Sequence, residues 1–265
     1  MKFSYLFYEP LRRLSDLERR MQHLAALGYR GIELSAFHPL PYPIDEVRAL
    51  SAKHRMPVVS LLSGWSYAEE GLCLSSPDSG VRSRAVKRLG DYLGQAGRLG
   101  ALVVVGLMQG LRRDEPDEVK ANERIVDCLR LAARLAENEG SLAVIEPVNH
   151  LQVGFNHTAA EVAALVNQIA SPALSYMLDT IHLNIEERSI LETIRSHGRH
   201  IRHFHLCETN GGPYGTGNLN FAAVLAALAE VDYDRSVSVK IYRTVGWEEG
   251  SRMAAEFLQR LGVWS

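Results

Sequence analysis

The chain has 265 residues, of which 46% are hydrophobic and 23% charged, and its formal net charge is −2. This composition supports a large buried core and excludes a disordered chain. The lack of a long basic run argues against binding to nucleic acid. No apolar run approaches the roughly 20 residues that span a bilayer, which argues against a membrane protein. The three cysteines are far apart and form no CxxC pair, which favours a reducing, cytoplasmic location over a disulfide framework.

Short apolar runs alternate with longer amphipathic segments along the whole chain, which predicts repeated strand–helix units. Predicted strands cover 3–7, 31–34, 57–62, 101–105, 142–145, 174–178, 201–206 and 237–241. Predicted helices lie near 11–24, 44–54, 80–98, 117–138, 158–169, 186–197, 220–230 and 247–261. The segment SGWSYAEEG after the third strand is predicted to be a loop.

Eight such units in one chain of this length predict a single α/β domain, a (β/α)8 TIM barrel that spans residues 1–265. The alternative is a doubly wound open sheet. That alternative is disfavoured because no Gly-rich phosphate loop follows the first strand.

The segment LSYMLDTIHLNIEE at 174–187 is the first candidate for part of a functional site. Its apolar run ends on Asp179, and a carboxylate at the end of a buried strand is costly unless something pairs with it. Two other predicted strands also end on metal-type ligands, Glu146 and His205. Because the active sites of TIM barrels lie at the carboxyl ends of the strands, these residues are candidates for one site.

The alternation of strand residues gives a stricter test. It places Glu146, Asp179 and His205 on the inward face of three consecutive strands, and it places Lys240 on the inward face of the eighth. Two carboxylates and an imidazole suit Mn²⁺, Mg²⁺ or a similar divalent ion. The alternative is that each is a hydrogen-bonded structural residue, although cores rarely gather carboxylates.

The segments LAVIEPVNH, YMLDTIHLNIEE and IRHFHLCETNGGPYGTGNLNF resemble the xylose-isomerase-like barrel superfamily. Within it, the sequence is most similar to epimerases of ketoses such as tagatose, psicose and ribulose. The resemblance implies a divalent metal, usually Mn²⁺ with Mg²⁺, Co²⁺ or Zn²⁺ as alternatives, held by Glu146, Asp179 and His205. It also implies that His182 touches a sugar or keto-sugar substrate, and that the barrel can pair into a homo-oligomer.

The sequence departs from that family at four positions. The fourth metal ligand, a Glu on the last strand, is here Lys240, and the substrate-binding Glu six residues after the first ligand is here Gln152. The Arg six residues after the metal His is Gly211, and His150 stands where the epimerases have Arg. The resemblance therefore retains three of the family's metal ligands. The positions with which the family binds and epimerises a free ketose are altered.

Three residues are candidates for proton transfer. Glu146 is one, and His150 is another, with a loop histidine that caps backbone groups as the alternative. Lys240 has three interpretations: a neutral general base at the edge of the metal, an ammonium that stabilises an enolate oxygen or a substrate carboxylate, or a partner of a carboxylate in a site without metal.

Other residues are candidates by position. Trp65 can stack on a sugar ring or merely cover the barrel. Glu33 and His38 close the second strand and are candidates for the same mouth. Further candidates for contact with the sugar are Asn149, Gln152, Gln109 and Glu208.

The predicted function is a metal-dependent sugar isomerase or epimerase that removes a proton beside a carbonyl and passes through an enediolate. The main alternative is a lyase that eliminates a β-substituent from a keto-sugar or keto-glycoside. Two weaker alternatives are an enzyme that resembles apurinic endonucleases and a non-catalytic binding protein.

Overall fold

A computed structural model describes residues 1–9, 11, 13–37 and 43–264. Its strands are all parallel, and each is short and mostly buried. They are β1 (Lys2–Phe7), β2 (Ile32–Ser35), β3 (Val58–Leu62), β4 (Leu102–Val105), β5 (Leu142–Ile145), β6 (Leu174–Tyr176), β7 (Leu178–Asp179), β8 (Phe204–Cys207) and β9 (Ser236–Lys240).

The strands form one sheet that is nearly closed into a ring, in the order β6-β5-β4-β3-β2-β1-β9-β8-β7. Its two ends, β6 and β7, are separated only by Met177 and together form the predicted sixth strand. The N–H of Met177 donates to Ile145 O on one side, and the next N–H, of Leu178, donates to His203 O on the other. The predicted (β/α)8 barrel is confirmed, with its sixth strand shared between two neighbours.

Helices cover the outside of the sheet. They are α1 (Leu14–Ala26), α2 (Ile44–His54), α3 (Trp65–Glu70), α4 (Ser79–Leu99), α5 (Glu118–Glu139), α6 (Ala159–Ile169), α7 (Thr180–Glu186), α8 (Ile190–His197), α9 (Phe221–Glu230) and α10 (Trp247–Arg260). Two differ from the prediction: α3 lies in the expected loop, and the single helix expected near 186–197 is preceded by α7. Within the described ranges, no helix combines the length and the apolar character needed to cross a bilayer.

Two apolar clusters hold the barrel together. The larger lies between the sheet and the helices. The smaller fills the inside of the barrel with Val104, Val144 and Met177. Because strand residues alternate between the two faces, the inward residues one step further along these strands reach the carboxyl edge. This apolar cluster therefore lies directly below Glu146 and Asp179 inside the barrel.

Candidate active site

Neighbouring strands end side by side at the carboxyl edge of the barrel, and four of them carry an acid, an imidazole or an amine there. Glu146 directly follows β5, Asp179 ends β7, His205 lies in β8 and Lys240 ends β9. The register pairs Asp179 with His205, and it pairs Cys207 with Lys240. The structure therefore brings together the four residues that strand alternation places on the inward face.

His205 lies between the two carboxylates. Its Nδ1 is 3.2 Å from Glu146 Oε1 and 3.3 Å from Asp179 Oδ2, and all three side chains are buried. Ligand atoms of one octahedral ion with bonds of about 2.1 Å lie about 3 Å apart. Both distances from His205 Nδ1 therefore match those between two ligand atoms of one divalent ion.

The other ring nitrogen of His205 faces a second buried carboxylate. Nε2 of His205 is 3.1 Å from both oxygens of Glu33, and Nε2 of His203 is 3.2 Å from Glu33 Oε2. Ser60 Oγ also donates to Glu33. Burial raises the pKa of Glu33, but His205 and His203 outweigh it and hold that pKa well below its usual value. The ionised carboxylate keeps a hydrogen on Nε2 of His205, so Nδ1 is the nitrogen presented to the site.

The charges of the cluster fit a divalent cation. Burial lowers the pKa of His205, but Glu33, Asp179 and Glu146 raise it well above its usual value. With His205 protonated and Lys240 charged, three carboxylates and two cations leave one negative charge in excess. A divalent ion in place of the Nδ1 proton gives three negative and three positive charges. Carboxylate oxygens and one imidazole are also a donor set for hard and borderline divalent ions.

Lys240 is an ammonium paired with one carboxylate. Its Nζ lies 2.5 Å from Asp179 Oδ2, and the residue is 5% exposed. Burial lowers the pKa of Lys240, but Asp179 reverses this and raises it well above its usual value. Burial likewise raises the pKa of Asp179, and Lys240 lowers it strongly. Of the three interpretations of Lys240, the charged forms fit this geometry better than a neutral base.

His182 is held as a neutral donor that faces the same carboxylates. Asn149 Nδ2 lies 2.7 Å from His182 Nδ1, and Leu151 N donates to Asn149 Oδ1, which orients the amide. Nδ1 therefore accepts, and the ring hydrogen is on Nε2, 3.7 Å from Glu146 Oε1 and 3.9 Å from Asp179 Oδ2. Burial lowers the pKa of His182. Asn149 thus orients the histidine and does not itself line the cavity described next.

A cavity of about 300 Å³ opens beside these residues. Its polar side presents Glu146, Gln152, His182 and Lys240. The rest of the lining is largely apolar and includes Leu62, Trp65, Ala68, Val104, Leu107 and Val148. A volume of this size is typical of small-molecule sites.

The predicted contact residues differ in where they lie. Trp65 and Gln152 line the cavity, and Trp65 Nε1 donates to Tyr8 O over 3.2 Å. His150 does not line it: its side chain is 58% exposed, and its Nδ1 is 2.6 Å from Glu186 Oε1. His150 is therefore an exposed residue outside the cavity lining, and its ring contacts a carboxylate and not the backbone groups that the alternative interpretation had it cap.

Gln109 and Glu208 turn away from the cavity and support its loops. Gln109 Nε2 donates to the backbone oxygen of Glu146, and Glu208 accepts three backbone N–H groups within 209–219. Gln109 Oε1 in turn accepts from Asn156 Nδ2, so the polar atoms of both residues are already used and neither is kept in the proposed substrate site. His38, another candidate, lies outside the described residues.

Two residues of the site were missed by sequence reasoning. Tyr8 directly follows β1 and lines the cavity, with Lys240 Nζ 5.8 Å from its ring centroid. Gly106 directly follows β4, and a Cβ there would lie 2.8 Å from Glu146 Oε2 and 3.4 Å from Val148 Cγ2. The available signal was their position, since each comes directly after a predicted strand.

The fold and the site together define a barrel enzyme of the xylose isomerase-like class. A family model for the xylose isomerase-like TIM barrel matches residues 21–261, so the chain belongs to that family. The chain is also 29% identical over 247 residues to D-psicose 3-epimerase of Ruminiclostridium cellulolyticum, covering 90% of this chain and 83% of the relative.

Two solved structures are similar along almost the whole chain. D-psicose 3-epimerase with D-tagatose, from Clostridium cellulolyticum H10, has a TM-score of 0.83 and 25% identity and covers 100% of both chains. The apo 3-keto-D-glucoside 4-epimerase from E. coli has a TM-score of 0.84 and 19% identity over 99% of each chain, which shows the fold alone. The resemblance to sugar epimerases is confirmed, and the protein is an enzyme of the sugar isomerase/epimerase superfamily.

Proposed function

We propose that this protein is a divalent-metal-dependent epimerase or isomerase of a ketose or keto-sugar, which removes a proton from the carbon beside the carbonyl. The observation that carries the proposal is the meeting of Glu146, Asp179 and His205 around one point at the edge of a cavity. The similarity to D-psicose 3-epimerase supports a sugar as the substrate.

Glu146, Asp179 and His205 would hold the ion, and the mixed oxygen and nitrogen donors favour Mn²⁺. When bound, such an ion supplies Lewis acidity to a carbonyl and a neighbouring hydroxyl of the substrate. Glu33 fixes the ring of His205 for this role, because its carboxylate holds the opposite nitrogen.

Glu146 is the proposed base. Burial raises the pKa of Glu146, but Lys240 and His205 outweigh it, so the carboxyl is ionised. Glu146 lines the cavity, where it can accept the proton of a bound sugar. His182 donates its Nε2 hydrogen to a substrate oxygen, and Gln152 and Trp65 contact the rest of the sugar.

Lys240 is proposed to stabilise negative charge on the substrate oxygen as the enediolate forms. An ammonium already charged in the resting site can act at once, and its low exposure strengthens the interaction. His150 is given no part in proton transfer, because its exposed ring lies outside the cavity lining.

A second candidate function is β-elimination from a keto-glycoside. The observation that favours it is that Glu146 and Lys240, a carboxylate and an ammonium, line one cavity. Glu146 can remove the proton beside the carbonyl, and Lys240 can protonate the leaving oxygen on the next carbon. The products are an unsaturated keto-sugar and the free aglycone, so no oxidant or reductant is needed.

One experiment separates the two candidates. The purified protein is incubated in D₂O with D-psicose, and separately with a 3-keto-glucoside, each with Mn²⁺ and with EDTA. We expect metal-dependent exchange of a carbon-bound proton, seen by NMR, together with a new epimer or isomer. Release of the aglycone from the keto-glucoside would instead favour elimination. If both compounds showed no exchange and no elimination, the proposal would be contradicted.

A cytoplasmic location and pairing of barrels stay predictions.

A further inference from the structure

We propose that a second cavity of this protein binds a small carboxylate on the side chain of Arg20. The cavity has a volume of about 130 Å³, and its lining comes from the end of β1, from α1, from the start of α10 and from the segment that joins β9 to α10. Arg20, Phe7 and Trp247 line it, and Ile241 and Val245 add apolar surface. The site is separate from the candidate active site, so the proposal does not depend on the reaction proposed above.

Arg20 is a buried cation that lacks acceptors for most of its N–H groups. The residue is 8% exposed, and its Nε and Nη1 have no hydrogen-bond partner among the described residues. Nη2 is 3.4 Å from Glu9 Oε2, which is a long contact to a side chain that is 70% exposed. Because donors buried without an acceptor lose their hydrogen bonds to water, a ligand oxygen beside Arg20 is favourable.

Two aromatic rings hold the guanidinium group at the cavity. Its Cζ lies 4.6 Å from the ring centroid of Phe7 and 4.8 Å from that of Trp247. The two rings pack edge to face, with their centroids 5.6 Å apart. Such rings attract the positive charge, but they accept hydrogen bonds only weakly and do not replace a carboxylate oxygen. The rings therefore position Arg20 and leave its Nε and Nη1 without an oxygen acceptor.

The chemistry of the lining favours a carboxylate with a short apolar tail. A guanidinium binds a carboxylate through two parallel N–H···O bonds, and both edges suited to this contain Nη2, paired with Nη1 or Nε. The carboxylate takes Nη2 over from Glu9, whose exposed side chain can turn to water. Apart from Arg20 and Glu9, no described residue of the lining is charged. One negative charge therefore matches Arg20, whereas the two charges of phosphate do not, and Ile241 and Val245 can contact the tail.

The two cavities can be tested separately because they share little of their lining. Among the described residues, only Tyr8 lines both, whereas Lys240 lines the first cavity and Arg20 the second. A carboxylate bound to Lys240, or to a divalent ion at Glu146, would not respond to a substitution at Arg20. Dependence on Arg20 therefore identifies the second cavity as the site.

Thermal melts of the full chain measure the binding, with sodium propionate, sodium phosphate, sodium chloride or propionamide added at constant pH and ionic strength. Propionamide has the shape of propionate without its charge. We expect propionate to raise the Tm by about 2–5 °C more than chloride does, with and without Mn²⁺, because it binds only the folded protein. A rise no larger than that with chloride or propionamide, or one that requires Mn²⁺, would overturn the inference. A larger Arg20-dependent rise with phosphate would overturn the choice of a carboxylate.

Two neighbouring arginines provide the variant and its control. Arg20→Gln should lose the propionate effect, with a remaining rise of less than about 1 °C. Arg19→Gln should keep the full rise, because the Cζ of Arg19 is also near the ring of Trp247, at 5.2 Å, but its side chain is 57% exposed. An equal rise in Arg20→Gln and the wild-type protein would refute the site. If Arg20→Gln does not fold, Arg20→Lys keeps the charge without the paired N–H groups and should bind propionate at least about five-fold more weakly.

A crystal grown with propionate gives a check that needs no variant. We expect density for the carboxylate within hydrogen-bonding distance of Arg20 Nη2. Propionate found only elsewhere, or not found at a concentration that saturates the shift in Tm, would limit Arg20 to packing against Phe7 and Trp247 and would refute the inference.

Discussion

At the carboxyl edge of the barrel, strands β1 to β4 and strands β5 to β9 contribute different kinds of side chain. The second group brings the residues that can hold an ion or move a proton, Glu146, Asp179, His182, His205 and Lys240. The first group brings uncharged side chains and a glycine to the cavity: Tyr8, Ser35, Leu62, Ser63, Val104 and Gly106. The same strand–helix unit is repeated around the ring, so the difference lies only in which side chains end each strand.

The two halves of the edge depend on each other. The charged side chains of the second half pack closely because the first half leaves space for them. Gly106, which has no side chain, leaves space for the carboxylate of Glu146. One acid crosses the division: Glu33, from β2, reaches under the edge to His205. The first half therefore shapes the cavity and holds the ring of His205, while the second half carries the proposed ligands and the proposed base.

The largest effect is expected from loss of the proposed base in the second half. Glu146→Gln keeps the shape but removes a carboxylate that is both a proposed ligand and the proposed base, so the assay is run at saturating Mn²⁺, where we expect proton exchange to fall about 10²–10⁴-fold, as for loss of a general base. NMR in D₂O measures it. Glu186→Gln, a matched change outside the cavity lining, should retain exchange within about three-fold. Exchange that survives in Glu146→Gln would assign the base to another residue.

The role of the ammonium is tested by Lys240→Gln. We expect turnover to fall about 10²–10³-fold, comparable with loss of one donor to a developing oxyanion. Affinity for Mn²⁺, measured by EPR, should stay equal or increase, because Lys240 no longer occupies Asp179 Oδ2. Lys53→Gln, on the exposed side of α2, serves as the control. Loss of Mn²⁺ binding would make Lys240 a ligand and contradict its assignment to the oxyanion.

The contribution of the first half to the ion site is tested by Glu33→Gln. Removing an outer carboxylate from a ligand histidine weakens metal binding about 10–100-fold, and we expect this range for Mn²⁺. Glu9→Gln, whose side chain is 70% exposed, is the control. A thermal melt reports any accompanying loss of stability. Wild-type affinity in a folded Glu33→Gln protein would show that His205 is oriented without it.

The smallest expected effect is at Gly106. Gly106→Ala places a Cβ 2.8 Å from Glu146 Oε2, so the carboxylate must move, and we expect about a ten-fold loss of kcat. Gly246→Ala is the matched control, because a Cβ there meets nothing within 4 Å. Both variants should fold with similar Tm values. Equal activity in the two would mean that Glu146 tolerates the displacement.

Much of the fold could be predicted because it depends on local pattern. The bounds of β5 and α2 agree with the prediction, since an apolar run and an amphipathic run each define them. One exception is α3, which was predicted to be a loop. Its first turn depends on a residue distant in sequence, as Ser66 Oγ lies 2.9 Å from Tyr92 OH. Tyr67 OH, next to it, donates to Asp114.

The site was predictable to the extent that strand alternation controls it. That rule placed Glu146, Asp179, His205 and Lys240 on one face, and the structure has their side chains in contact or near contact. It could not show that Lys240 pairs with Asp179. Nor could it predict the contact between Glu33 and Nε2 of His205. That contact depends on the register between β2 and β8 around the closed barrel, which the pattern within one strand does not determine.

Asp179 uses its two oxygens for different purposes. Oδ1 accepts the N–H of Ile181 and caps the start of α7, the helix that carries His182, while Oδ2 faces Lys240 and His205. Any replacement at this position therefore disturbs a helix terminus and a coordination site in one change. Weak ion binding in such a protein would mix both effects, whereas a change at His205 would report on coordination more cleanly.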